Sequence, residues 1–436
     1  MTHPPSEQVC PSYRDTYYTR TMEPPLDANP LPERVEADIC IIGGGIAGIS
    51  CAYELTKAGM SVILLEADQI AWGASGRNGG IVGPGFAADG AAIEKKLGLA
   101  TAVQIFDLSR EGVEIFQEYT KKLDLPGVDI RPGSLSVSRY RGAQGMQDYV
   151  RHKSDTYSYP VEYVPTDTLR EMVRTERYFD GVYDPQGFHA HSLNYCLGLA
   201  RETQRLGGRI FENTRALSMS RQGADHLVTT QAGSVLCKTV ILCQGGMVDG
   251  FHKRLQRYLL PIGTFVAVTE PLGDLADEIV NTTAAIVDTR MACDYFRITP
   301  DGRLLWGGGM TGNAKEPADL EQQMRRAFTS VFPRLAEVKT DATWSGLLGY
   351  ARHRMPYLRE MHDGIWAATG LGGHGVNIGP LFGRLIAEAI VDNGKRHTVL
   401  DPYGLTWNGS AFGPLAADTV YYWEAVKERY FEWRYG

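Results

Sequence analysis

Apolar and polar positions change period several times along the chain, and each change marks an element. The run Asp38-Ile39-Cys40-Ile41-Ile42 is short and almost wholly apolar, as a strand buried on both faces is. Gly43-Gly44-Gly45-Ile46-Ala47-Gly48 interrupts it, and a helical stretch carrying Ile49, Ala52, Tyr53 and Leu55 runs on to Ala58-Gly59. A second buried strand, Val62-Ile63-Leu64-Leu65, ends at Glu66. Strand, turn, helix and strand within ~30 residues predict a βαβ unit with a right-handed crossover.

Further on, Val103, Phe106, Val113, Phe116 and Leu123 fall at helical spacing, and Ser134-Leu135-Ser136-Val137-Ser138 alternates like a strand. Leu193 to Leu206 reads as a helix stopped by Gly207-Gly208, with Arg209-Ile210-Phe211 as the next strand. Val240-Ile241-Leu242-Cys243 leads into Gln244-Gly245-Gly246 in the same way. Residues 261–310 alternate and turn at Pro300-Asp301-Gly302, the pattern of an antiparallel sheet. Ile365-Trp366-Ala367-Ala368 is a last strand, followed by a glycine loop and a helix from about Pro380 to Ile390. No fixed-period repeat is present.

The simplest architecture is α/β combined with α+β: a discontinuous nucleotide-binding domain of Rossmann type, interrupted by a second domain built on an antiparallel sheet. We place a proline- and tyrosine-rich arm at 1–35 and the nucleotide domain at 36–95, 189–255 and 343–400. The second domain takes 96–188 and 256–342, and 401–436 forms a helical tail whose Tyr421 to Tyr430 stretch predicts a packing helix. The length of 436 residues fits two or three domains at ~150 residues each.

Composition adds one unusual feature. The chain has 49 glycines in 436 residues, well above the ~7% average, without a Gly-X-Y period. Four clusters, at 43–48, 73–85, 307–312 and 370–383, hold 20 of them. Glycine so concentrated marks backbone that turns with positive φ or approaches something closely. The apolar fraction of 43% and charged fraction of 22% exclude a disordered chain.

The formal charge of −7 comes without a basic run, which argues against a nucleic-acid partner. The seven cysteines are scattered without a Cys-x-x-Cys pair, which predicts a reduced, cytoplasmic protein. Met1 to Glu7 lacks the order of a signal peptide, and no apolar run reaches the ~18 residues of a membrane span.

Gly43-x-Gly45-x-x-Gly48 is weak alone, but it follows a buried strand, opens a helix, and precedes an acid at the next strand end. Gly43 permits the tight turn, Gly45 admits a pyrophosphate, and Gly48 lets the helix pack on the sheet. The helix N-terminus offers unpaired N–H groups to the phosphates. Glu66 can accept from a ribose diol, and its charge disfavours a 2′-phosphate. NAD and FAD both fit so far. The second cluster, Gly73-Ala74-Ser75-Gly76-Arg77-Asn78-Gly79-Gly80, supplies the flat small-residue backbone that a flavin ring needs. The fourth, Gly370 to Asn377, precedes a helix that can aim its positive end at the charge of a reduced flavin.

On these motifs the sequence resembles the FAD-dependent oxidoreductases of the D-amino-acid oxidase and glycine oxidase type, and among them the γ-glutamylputrescine oxidoreductases. The matching residues include Ser12-Tyr13, Tyr17-Tyr18, Asp38 to Gly48, Leu65-Glu66-Ala67 and Gly73 to Gly80. They continue through Tyr295-Phe296-Arg297, Trp344-Ser345-Gly346, Arg354-Met355-Pro356 and Gly373-His374-Gly375. The resemblance implies a glutathione-reductase-type fold and FAD held by Gly43, Gly45, Ile46, Ala47, Glu66 and Ala67. Ala74, Ser75, Arg77, Asn78, Gly79 and Gly80 would line the flavin. Ala216, Cys243 and Gly245 would border the adenosine, and Gly373, His374, Gly375, Val376 and Asn377 the pyrimidine end.

The implied activity is amine oxidation: hydride passes from the carbon beside nitrogen to the flavin, and the imine hydrolyses. A small amine, γ-glutamylputrescine-like, is the expected substrate and O2 the acceptor. A dehydrogenase of N-alkyl or cyclic amino acids feeding a quinone or carrier is the alternative. An NAD(P)H-dependent flavoprotein reductase or hydroxylase is another class, disfavoured by the lack of a second Gly-x-Gly-x-x-Gly unit. Relatives that bind FAD covalently use a cysteine after the Trp-x-Gly motif or a histidine in the early glycine loop. Residues 344–380 hold no cysteine and 71–85 no histidine, which predicts noncovalent FAD. Amino-acid oxidases of the family hold the substrate carboxylate with an arginine directly before proline. Here Met355 separates Arg354 from Pro356, which favours an amine whose acidic group is distant.

Tyr295, Arg297 and His374 are the candidates for catalysis, with Tyr295, Arg297, Trp344 and Tyr350 as substrate contacts. Tyr295 and Arg297 share one face of a strand, and the competing reading is a routine cross-strand pair. Trp344 and Tyr350 fit a core equally well. His189 and His191 suggest a metal pair, but nothing completes a ligand set.

Overall fold

The computed structural model describes residues 13–28, 30, 31, 33–247, 250–312 and 314–436. Cys10, Ser12 and the stretch Met1 to Glu7 lie outside the described residues. The first sheet runs Tyr357–His362, Ile365–Thr369, Ser234–Leu242, Arg34–Ile42, Val62–Leu65 and Arg209–Phe211. All but the first of these are mutually parallel. Ile41 stands opposite Ile241 on one side and Leu64 on the other, and none of its surface is exposed. The apolar run at 38–42 therefore occupies the centre of a sheet covered on both faces. The hairpin Ala216–Gln222 and Asp225–Thr230 hangs from Ser234–Leu242.

Helix Ile46–Lys57 crosses this sheet and packs against helix Gly375–Val391. A Cβ at Gly379 would meet Ile46 Cγ2 at 2.8 Å, and one at Gly383 the Ser50 backbone at 2.5 Å, so glycine allows the approach. This helix begins at Gly375, not near Pro380 as its sequence suggests. Pro380 has no N–H to donate back to Val376, and the helix forgoes that one bond. Its burial between neighbours offsets the loss.

The second sheet runs Thr340–Tyr350, Leu260–Thr269, Leu304–Thr311, Tyr295–Ile298, Ala285–Asp288, Arg131–Val137, Gly181–His189 and Ile81–Val82. Glu162–Val164 pairs beside Gly181–His189. The sheet is antiparallel as expected except for one pair, Ala285–Asp288, which runs parallel to Arg131–Val137. Those two strands are far apart in sequence, and no hairpin dictates their sense. The domain boundary at 343 also moves. Thr340–Tyr350 pairs along its length with Leu260–Thr269, which puts 343–350 in the second sheet.

The third glycine cluster belongs to this sheet. Gly307 stands opposite Tyr295, and a Cβ on Gly307 would enter the tyrosine ring. A Cβ on Gly79 would meet the same ring at 2.5 Å. Tyr295 is thus clamped between two glycines from different parts of the chain. The arm is anchored as well: Tyr18 is fully buried, and Tyr13 donates its hydroxyl to Ile70 O at 2.6 Å. The tail forms helix Gly413–Tyr435, in which only Gly413 is buried, so the expected packing helix touches the body lightly. No helix among the described residues is long and apolar enough to cross a membrane.

Candidate active site

The first cleft forms where strand Arg34–Ile42 gives way to helix Ile46–Lys57. Gly43 has φ +107°, and a Cβ there would lie 2.9 Å from Cys243 O. Only glycine fits both the dihedral and the space. Gly45 caps the helix without a side chain, leaving its terminal N–H groups directed outward. Ser75 Oγ accepts one of them, from Ile46 N, at 3.0 Å. The Glu66 carboxylate is pinned by Gly44 N at 2.5 Å and Asp68 N at 2.9 Å. Burial pushes its pKa up, and those two donors oppose the rise.

Gly43, Gly45, Ile46, Ala47, Glu66 and Ala67 line this cleft, as do Ala74, Ser75 and Asn78. Ala216, Cys243 and Gly245 border one end, and Gly373, Gly375 and Val376 the other. The glycine loop at 73–80 is rigid because its carbonyls are occupied. Asn78 Nδ2 donates to Ala74 O and Ser75 O at 3.0 and 2.9 Å, while its Oδ1 accepts from Gly80 N at 2.7 Å. Trp344 Nε1 donates to Arg77 O, and Arg297 Nε to Gly79 O, both at 2.9 Å.

A second cavity of about 410 Å³ adjoins the cleft and shares Ala74, Asn78, Gly372, Gly373 and Val376 with it. Arg77, Gly79, His374 and Asn377 line this cavity rather than the first cleft. Tyr295 and Tyr350 form its walls, and burial raises both phenol pKa values, keeping them protonated. His374 caps helix Gly375–Val391, and burial lowers its pKa to about 4, so the imidazole is neutral. Its Nδ1 is buried with no hydrogen-bond partner among the described residues. Arg77 is mostly buried, stacks 4.0 Å from the Trp72 ring centre, and has an unpartnered Nη2. Burial lowers its pKa to about 10, which leaves it charged.

Away from the cleft the cavity turns polar. Tyr159 donates to both Asp184 oxygens at 2.8 Å, and Asp184 also accepts from Gln186 N and Gly187 N. Lys153 Nζ sits 3.8 Å over the Phe106 ring, and burial lowers its pKa to about 8 against the pull of Asp184. Tyr149 and Arg354 also line the cavity.

Three residues expected at the site take other places. Gly80, Arg297 and Trp344 line neither cavity. Gly80 takes φ +73° to accept Ala190 N on its carbonyl. Arg297 is buried and spans Gly79 O and the Tyr18 hydroxyl, the latter at 3.1 Å. Trp344 is wholly buried behind the loop. Both side chains hydrogen-bond carbonyls of the loop at 73–80. The histidine pair is likewise structural: His189 Nε2 bonds Thr283 O, and His191 Nδ1 accepts from Asn194 N. Sequence reading misses Trp72, Lys153, Tyr149, Tyr159 and Asp184. The only signal is the i, i+4 spacing of Tyr149 and Lys153 on helix Ala143–Tyr157.

A glycine turn at a sheet's switch point, a pinned acid and a helix N-terminus together define a dinucleotide-binding oxidoreductase fold. The glycine cradle and the unpartnered Trp72 Nε1, Arg77 Nη2 and His374 Nδ1 around it suit a large planar, phosphate-bearing group. The chain belongs to the DAO family of FAD dependent oxidoreductases, whose family model matches residues 38–389. It is 33% identical to the γ-glutamylputrescine oxidoreductase of Escherichia coli (strain K12), over 88% of this chain and 90% of that protein. It is 26% identical to the glycine oxidase of Bacillus subtilis (strain 168), over 81% and 92%. The solved glycine oxidase of Geobacillus kaustophilus shares the fold, with TM-score 0.71 at 20% identity over 85% of this chain and 98% of that one. FAD is the cofactor of this family.

Proposed function

We propose that this flavoenzyme oxidises the carbon beside the nitrogen of an amine whose far end carries a charged polar group, as γ-glutamylputrescine does. The observation that carries this is the join between the two cavities. The FAD cleft opens at Gly372 and Gly373 into a chamber that ends on Lys153, Tyr159 and Asp184. Its ~410 Å³ falls within the usual ~300–1,000 Å³ of small-molecule sites. Lys153 and Asp184 offer one charge of each sign, which suits a zwitterionic amino-acid head such as a γ-glutamyl group. The relative's name agrees with that chemistry.

Bound FAD would supply the hydride acceptor and pass the electrons on to O2. Gly43, Gly45, Glu66 and Ala67 hold its adenosine and pyrophosphate portion, Ala216, Cys243 and Gly245 flank it, and the loop at 73–80 backs the ring. We take the attachment as noncovalent. Tyr295 and Tyr350 flank the reacting carbon and exclude water from it. The neutral His374 imidazole can accept an N–H from the substrate amine at its Nδ1 and so orient the nitrogen. The first sheet then serves FAD and the second serves substrate.

Anaerobic mixing tests this. Addition of γ-glutamylputrescine should bleach the yellow holoenzyme, and air should restore the colour. Glycine, sarcosine and proline should bleach it at least ~100-fold less efficiently, the scale of a lost charged contact. Bleaching by NADH alone would overturn the proposal.

A further inference from the structure

Helix Gly413–Tyr435 carries its polarity the wrong way round for a surface helix. Its acids serve the protein side. Asp418 accepts from Thr311 Oγ1 and Gly312 N at 3.0 and 2.6 Å, and Glu428 from Met291 N at 2.8 Å. Glu432 pairs with Arg177 at 3.1 Å, and Glu424 on the flank pairs with Lys427 at 2.9 Å. The opposite face is apolar and open: Leu415, Trp423, Val426, Tyr430 and Trp433 are 66%, 62%, 40%, 54% and 79% exposed. At 100° per residue these five share one side with Lys427 and Arg434, and no acid falls among them. Single exposed apolar residues are ordinary, but five on one helix side, three of them aromatic, are not.

We propose that this face lies on the anionic surface of a lipid bilayer, with the helix in the plane of the interface. Tryptophan and tyrosine place an apolar body at the acyl boundary and a polar edge among headgroups. Lys427 and Arg434 point the same way and complement anionic headgroups. Charge decides against a second copy of the chain as the occupant, since Lys427 already has Glu424 and this face offers no acid to meet Arg434, whereas anionic headgroups do. The helix is about 35 Å long at ~1.5 Å per residue, enough to lay all five anchors down together. Docking would orient the enzyme. Tyr421 and Tyr422 line a hollow with Gly309 and Met310, which also line the second cavity. The chamber's flank would then face the lipid surface. Docking of this kind is independent of which amine the enzyme takes.

Flotation of the holoenzyme with vesicles of roughly three parts phosphatidylcholine to one part phosphatidylglycerol tests the proposal. The enzyme should float with these vesicles and bind pure phosphatidylcholine at least ~10-fold less. The double variant Trp423→Ser/Trp433→Ser should lose at least ~10-fold in vesicle binding while keeping its flavin spectrum and turnover. Arg434→Glu should weaken binding to the anionic vesicles alone. All three substituted positions are exposed, and the flavin spectrum checks folding independently. An enzyme that stays unbound, or variants that float as well as the parent, would overturn the proposal. So would sedimentation showing a dimer that the double variant abolishes.

Discussion

The FAD cleft and the neighbouring chamber are built from different material. The cleft is made largely of backbone: Gly43, Gly45, Gly245, Gly373 and Gly375, with one pinned carboxylate. The far end of the chamber is made of side chains: Tyr149 and Lys153 from helix Ala143–Tyr157, Asp184 from strand Gly181–His189, and Tyr159 between those elements. Backbone sites tolerate almost no added atoms, whereas side-chain sites can be altered one group at a time. The cofactor end should therefore fail as a unit and the chamber by degrees.

The largest effect should come from the turn. In Gly48→Val the new side chain would drive into Gly43 O, so FAD affinity should fall about 100-fold or more, ~3 kcal/mol. Measured by FAD fluorescence titration, affinity within ~3-fold of the parent would break the contrast. Next comes the chamber. Lys153→Ala should raise KM for γ-glutamylputrescine about 30-fold, ~2 kcal/mol, with kcat within ~3-fold and FAD fully retained. A fall in kcat with KM unchanged would move Lys153 to the reacting end.

The pH profile gives a third test with a defined sign. Burial lowers the Lys153 pKa to about 8, so its ammonium is intact below that value and lost above it. KM should be flat from about pH 6 to 8 and then climb by up to ~10-fold per unit, and Lys153→Ala should remove the climb. His374 is already neutral above about pH 4 and should add no inflection near neutrality. The smallest effect belongs to Tyr159→Phe, which removes one donor to Asp184 and should raise KM ~3–10-fold. Acid precipitation of the holoenzyme sharpens the cofactor side: all the flavin should stay in the supernatant.

The same division explains what is legible in the sequence. Glycine spacing, buried strands and an acid at a strand end carry periodic, local signals, and so Gly43 to Glu66 can be read directly. The start of helix Gly375–Val391 is hidden because Pro380 resembles a boundary, whereas tertiary packing through Gly379 and Gly383 carries the helix past it. Arg297 and Trp344 belong to the region of the site, but nothing in their sequence context announces their hydrogen bonds to the loop at 73–80. Lys153 and Asp184 meet only through the fold of the second sheet. No local pattern announces such a meeting.

The clamp on Tyr295 acts as a spacer gauge. Its ring fills the gap between Gly79 of the flavin loop and Gly307 of the second sheet, so the thickness of one aromatic ring sets how closely the two halves approach. A change of diet for this enzyme is therefore best sought at the far wall of the chamber. There a new side chain can alter what is admitted without resetting the separation of the two halves.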